Sequence, residues 1–147
     1  MKVAVGSDHR GFPLKERIVR MLGGEGYDVL DLGCSGTDSV DYPDFAFPVA
    51  ERVAGGEAER GILVCGSGIG MSVAANKVRG IRAALCRTVG DARMTRRHND
   101  SNVLTLSEQS MEDPDVLDLV RVWIETPFEG GRHKRRIDKI TAYENRS

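Results

Sequence analysis

The stretch Cys65-Gly66-Ser67-Gly68-Ile69-Gly70 sets a thiol, a hydroxyl and alternating glycines directly after the apolar run Gly61-Ile62-Leu63-Val64. Alternate glycines let a backbone turn tightly and approach a ligand. If the apolar run is a strand and the loop opens a helix, the free amides and dipole at that helix start favour an anion or a developing oxyanion. A thiol in that place ionises readily, so Cys65 is a candidate base or nucleophile. The competing reading is a small buried cysteine ending a strand, since free cysteine is commonly buried. The glycine loop favours chemistry.

Three phosphate loops can be tested against these residues. A dinucleotide loop needs G-x-G-x-x-G and an acidic residue about 20 positions on; its last glycine falls on Met71, and the next strand ends at Cys86. The Gly-Lys-Ser/Thr of a nucleoside-triphosphate loop is absent. A cysteine phosphatase loop needs an arginine six positions after the cysteine, and that position is again Met71. NAD and ATP are disfavoured, and no cofactor is expected.

Other reactive residues lie apart in sequence. Gly6-Ser7-Asp8-His9-Arg10-Gly11 follows a short apolar strand; alone, its Asp8 and His9 read as a solvated turn with Asp8 binding backbone amides. His98-Asn99-Asp100 closes a helix, where histidine often serves only as a favourable C-terminal charge. Arg132-His133-Lys134-Arg135-Arg136 is a basic run of the kind usually solvated. Arg132 and Arg136, however, share one helix face, a suitable fork for a phosphate. Tyr42, in Asp41-Tyr42-Pro43, is either a wall for a sugar ring or a turn aromatic.

The elements that position these residues follow from composition and periodicity. The 147 residues fit a single domain, 1–147, and 21 Lys plus Arg against 22 Asp plus Glu give no global field toward nucleic acid or a bilayer. No signal segment or membrane-spanning run is expected, so the cytoplasm is the default compartment. Cys34, Cys65 and Cys86 have neither disulfide-framework nor metal-ligand spacing, and no metal is expected. Strands are expected at Val3–Val5, Val29–Leu32, Gly61–Val64, Ile81–Cys86 and Asn102–Leu106. Between them, helical spacing appears at Leu14–Leu22, from Pro43 to Ala54, Ile69–Val78 and Val89–Arg97. Asp113-Pro114 supplies an N-cap and first-turn proline for a helix through Ile124, and Arg132–Tyr143 forms a last, highly charged helix.

The alternation implies a single-domain, Rossmann-like, doubly wound α/β fold: a five-stranded parallel sheet with an added C-terminal helix. With the common order 2-1-3-4-5, strands 1 and 3 meet where the winding reverses, and ligands bind beyond their carboxyl ends. That crevice collects the Asp8 and Cys65 loops. His98 instead ends a helix running back down the sheet; ten helical residues descend about 15 Å. His98 is then either a helix cap or a residue presented to a partner's site.

Together, Ser7-Asp8-His9-Arg10-Gly11, Asp41-Tyr42-Pro43, Cys65–Gly70, Ala74-Ala75-Asn76-Lys77, Gly80-Ile81-Arg82-Ala83, His98–Leu104 and Glu129-Gly130-Gly131-Arg132-His133 resemble the ribose-5-phosphate isomerase B family. The resemblance covers nearly the whole chain, in order. It implies interconversion of ribose 5-phosphate and ribulose 5-phosphate without a metal, in a homodimer or dimer of dimers with shared active sites. Carried over by position, Cys65 is the base that shuttles a proton between C1 and C2, and Ser67 the hydroxyl managing protons on the substrate oxygens. The amides of Gly66, Gly68, Ile69 and Gly70 form the anion hole, and His98 opens the furanose ring. Asp8 and Asn99 hold sugar hydroxyls; His9, Arg132 and Arg136 hold phosphate. Relatives without the cysteine carry a glutamate where this chain has Met71.

One departure stands out. Many relatives have an arginine soon after the Asn-Val-Leu strand, where this chain reads Ser107-Glu108-Gln109. Related enzymes act on allose 6-phosphate or galactose 6-phosphate with similar loops, so five-carbon and six-carbon substrates both stay open. So do two other classes, a phosphatase using Cys65 and a non-catalytic sugar-phosphate-binding module. Met71 argues against the first. The clustered proton-transfer groups argue against the second.

Overall fold

The computed structural model describes residues 1–146. Its elements are β1 (Lys2–Ser7), α1 (Phe12–Gly24), β2 (Asp28–Asp31), α2 (Pro43–Ala54), β3 (Arg60–Cys65), α3 (Ile69–Ala75), β4 (Ala83–Leu85), α4 (Val89–Asn99), β5 (Val103–Ser107), α5 (Val116–Glu125) and α6 (Arg132–Glu144). All five strands are parallel. No described helix is long and apolar enough to cross a membrane.

The lateral order is β2-β1-β3-β5-β4, which corrects the expected order at one edge. Strand burial supplies the reason. Every residue of β5 is buried, as an interior strand of a parallel sheet requires, whereas β4 is three half-buried residues suited to an edge. The reversal between β1 and β3 is retained, and β5 becomes the other neighbour of β3.

Alternation along the strands sends side chains into two layers. Val3, Val5, Ile62, Val64, Leu104 and Leu106 pack under α1 and α5, where Trp123 is fully buried and its indole N–H donates to Ser101 Oγ at 2.9 Å. Each such fully buried large side chain contributes roughly 1.5–3 kcal/mol relative to exposure. On the other face, Ala4, Leu63, Cys65 and Val103 pack under α2 and α3. Small residues there bring α2 close: a Cβ on Gly61 would lie 2.9 Å from Val49 Cγ1. Cys65 thus belongs to this second layer.

Three expected boundaries shift where side-chain amides and carboxylates replace backbone partners. α3 stops at Ala75 rather than Val78, and Asn76 then binds both backbone groups of Ala83, accepting at 2.8 Å and donating at 3.0 Å. Asn102 similarly accepts from Arg82 N–H and donates to Gly80 C=O, which shortens β4 from the expected Ile81–Cys86. Asp113 does not cap α5; its Oδ1 accepts from Asp115 N–H at 2.8 Å in a turn, and the helix begins at Val116. α6 buries His133 and Ile137 while leaving Ile140 and Tyr143 exposed.

Candidate active site

β3 delivers Cys65 to the carboxyl edge of the sheet with only 4% of its surface exposed. There the loop curls back so that Gly68 N–H donates to Cys65 Sγ at 3.2 Å. Gly68 has φ +77°, and a Cβ on it would lie 2.6 Å from Leu85 Cδ1 and 2.9 Å from the Leu106 carbonyl carbon. Both backbone strain and space therefore demand glycine. Ile69 N–H donates to Ser67 Oγ at 3.1 Å, so the serine oxygen accepts and its own proton remains for a ligand oxygen.

A cavity of about 450 Å³ opens beside this loop, within the range of small-molecule sites. Asp8, Tyr42, Cys65, Gly66, Ser67 and Gly70 line it. Asp8 is buried, and its Oδ1 accepts from the amides of Arg10 at 3.0 Å and Gly11 at 2.9 Å, which fixes the turn into α1. Tyr42 covers Gly70: a Cβ there would meet the ring at 2.8 Å. His9 Nδ1 accepts from Val40 N–H at 3.1 Å, which leaves Nε2 to carry the proton as a donor.

The cavity also gathers Arg10, Arg87, Ser107 and Gln109. Arg10 lies over Gly66, with Nη1 2.9 Å from where a Cβ would be, and pairs with Glu108, which raises the guanidinium above its ordinary range. Ser107 Oγ donates to Gly66 C=O at 2.8 Å and accepts from Gln109 N–H at 3.1 Å, tying the end of β5 to the Cys65 loop. Sequence reasoning singled out Gln109 as a departure but passed over Arg10, Arg87 and Ser107. The available signal was positional, since each follows or ends a strand at its carboxyl edge.

The remaining expected site residues are divided. Gly68 and Ile69 stay on the Cys65 loop, with Ile69 52% exposed. His98 lines a separate cleft with Gly90, Arg93, Met94 and Arg97. Asn99 borders another, and its Oδ1 accepts from Thr95 Oγ1 at 3.2 Å. Arg132 and Arg136 stand exposed on α6. Thus α4, eleven residues long, separates His98 from the carboxyl edge where that helix starts.

His98 stacks on His133, with ring centroids 4.2 Å apart and planes 12° from parallel. Burial lowers the His133 pKa from the ordinary histidine range, and His98 and Arg132 reinforce this. One donor atom each from His98, Glu129 and His133 falls within 4.8 Å of the others. Stacked, near-parallel rings cannot both aim in-plane lone pairs at one ion, so the arrangement is a packed imidazole pair rather than a formed coordination shell. Of the other thiols, burial pushes Cys86 up to about 12, and Cys34 is buried with its S–H toward Gly36 C=O at 3.2 Å.

A parallel α/β sheet with a thiol, a hydroxyl and a glycine loop at its winding reversal defines a protein built around a small-ligand site at its strand ends. The family model for Ribose/Galactose Isomerase matches residues 3–140. Ribose-5-phosphate isomerase B of Escherichia coli strain K12 is 45% identical over 145 residues, covering 99% of this chain and 97% of that one. The solved ribose-5-phosphate isomerase B of Clostridium thermocellum superposes with a TM-score of 0.95 at 51% identity, covering 98% of this chain and 97% of that chain. The enzyme from Mycoplasma genitalium, solved with bound ribulose-5-phosphate, gives 0.95 at 42% identity, covering 99% and 97%. This chain belongs to the ribose/galactose isomerase family.

Proposed function

We propose that the protein is a cytoplasmic aldose-ketose isomerase, a single domain that interconverts ribose 5-phosphate and ribulose 5-phosphate through an enediolate. The observation that carries this reading is Cys65 Sγ, lining the cavity while held by Gly68 N–H, with the Ser67 hydroxyl two residues away. As a thiolate, Cys65 takes the C2 proton of the open-chain aldose, and the electron pair of that C–H bond forms the enediolate. The thiol then returns the proton to C1, giving the ketose. Ser67 exchanges a proton between the two oxygens, and loop amides stabilise the negative charge. The ribulose-5-phosphate bound to the Mycoplasma genitalium relative supports a five-carbon substrate.

His98, Asn99, Arg132 and Arg136 fit this chemistry when supplied by a second copy of the chain. Exposed Ile69 and Val73 on α3 and exposed Ile140 and Tyr143 on α6 offer apolar surface for such a homodimer, which could pair further into a dimer of dimers. The test incubates purified protein with ribose 5-phosphate in chelator and follows ketose and free phosphate. Ketose without phosphate release is expected, and Cys65→Ala should lower turnover at least about 100-fold, the contribution of a positioned base. Phosphate release would indicate a phosphatase, and full turnover by the alanine variant would remove Cys65 from the reaction.

A further inference from the structure

The charges facing the Cys65 cavity are unevenly committed. Asp8 spends Oδ1 on two backbone amides, and Arg10 is paired with Glu108. Gln109 adds only a neutral amide to this wall. Arg87, from the loop between β4 and α4, is the remaining charged side chain, and its guanidinium has no ion pair or hydrogen bond among the described residues.

Its backbone, by contrast, is fixed. Arg87 N–H donates to Asp91 Oδ2 at 3.2 Å, and Asp91 N–H donates to Thr88 Oγ1 at 3.0 Å, a reciprocal cap at the start of α4. The nearest acid on its own element therefore binds the backbone and not the guanidinium. An exposed arginine is ordinarily only solvated. This one is anchored at a capped helix start and set into a cavity whose other cation is already neutralised. The expected phosphate ligands on α6 do not line that cavity within one chain.

We propose that Arg87 is a phosphate ligand that the chain contributes to its own Cys65 cavity, recognising the monoester dianion of the sugar phosphate. The inference rests on the isomerase reading and adds a binding residue to it. Arginine offers a planar, permanently charged fork that matches phosphate oxygens. Because the phosphate is remote from the reacting carbons, the contact contributes alike to ground and transition states, so its loss should raise KM more than it lowers kcat.

The test compares wild type, Arg87→Gln and Arg87→Lys in two assays. Calorimetric titration with ribitol 5-phosphate, which has no carbonyl to isomerise, reads binding alone; initial rates with ribose 5-phosphate read KM and kcat. Arg87→Gln should weaken ribitol 5-phosphate binding and raise KM about 10- to 100-fold, with Arg87→Lys between it and wild type. Thermal unfolding at the wild-type midpoint would establish that Arg87→Gln is folded. Binding by that variant within twofold of wild type overturns the proposal, even where ribose 5-phosphate is turned over normally. Arginine-dependent binding without turnover of ribose 5-phosphate would instead sustain Arg87 as a ligand and overturn the isomerase reading.

Discussion

Two impaired variants, Cys65→Ala and His98→Asn, should restore activity to each other when refolded as a mixture. The eleven residues of α4 span about 16 Å, so His98 stands well away from the edge that carries Cys65. If a two-fold partner supplies His98, each site takes Cys65 from one chain and His98 from the other. Random pairing of equal amounts makes half of the dimers mixed, and each mixed dimer holds one site with both defects and one with neither. Roughly a quarter of all sites are then intact under closed two-fold symmetry. The assay unfolds the variants together in urea, refolds them by dilution and measures ketose formed from ribose 5-phosphate, with wild type refolded in parallel as the scale. Recovery no greater than that of the separately refolded variants would refute the shared site, because every mixed site would then keep one defect.

Gly11→Ala should destabilise the protein by about 1–3 kcal/mol through overpacking, because its Cβ would lie 2.3 Å from Val64 O, whereas Gly23→Ala in α1 meets nothing within 4 Å and should stabilise by about 0.5–1 kcal/mol. Urea unfolding of both checks this, and equal effects would count against the packing argument. His133 provides a pH prediction: burial lowers its native pKa, so below about 6.5 the unfolded chain binds more protons and stability falls as pH drops toward the native value. His98, Arg132 and Arg136 push in the same direction while Glu129 opposes. His133→Gln should flatten the loss of stability measured between pH 7 and pH 5, and an unchanged slope would show that another group controls it.

The elements were legible because apolar runs and glycines mark them. Gly61–Val64 could hardly be anything but a buried strand, and Cys65–Gly70 had to follow it. The lateral order was not legible, since periodicity assigns a residue to a face but says nothing of which strand lies beside it. That order is decided by the complete burial of Val103–Ser107 against the half-exposure of Ala83–Leu85. Arg87 was hidden for a different reason: nothing in Cys86-Arg87-Thr88 forms a phosphate motif, and because β5 sets the β4 loop one strand farther from Cys65 than the expected order would, only the cavity lining shows that this side chain reaches it. The convergence of Asp8 and Cys65 followed from the reversal between β1 and β3, which survives the change of order, whereas Tyr42, from the segment before α2, lines the same cavity without that reversal having placed it. Boundaries slipped where Asn76 and Asn102 stand in for backbone partners, a substitution that propensity does not encode.

The position of β5 also constrains how the chain is made. Synthesis completes β1, β2 and β3 in turn, and each of the first two finds a neighbour that is already present or arrives next. β4 does not: its ladder is formed with β5, so when it leaves the ribosome it has no strand to join. The free edge of β3 stays open over the same interval, while α3, β4 and α4 are added. β5 then closes both gaps by entering between two strands rather than extending a row. A nascent chain halted before Val103 presents a central strand with one bare edge, a state prone to pairing with another unfinished copy.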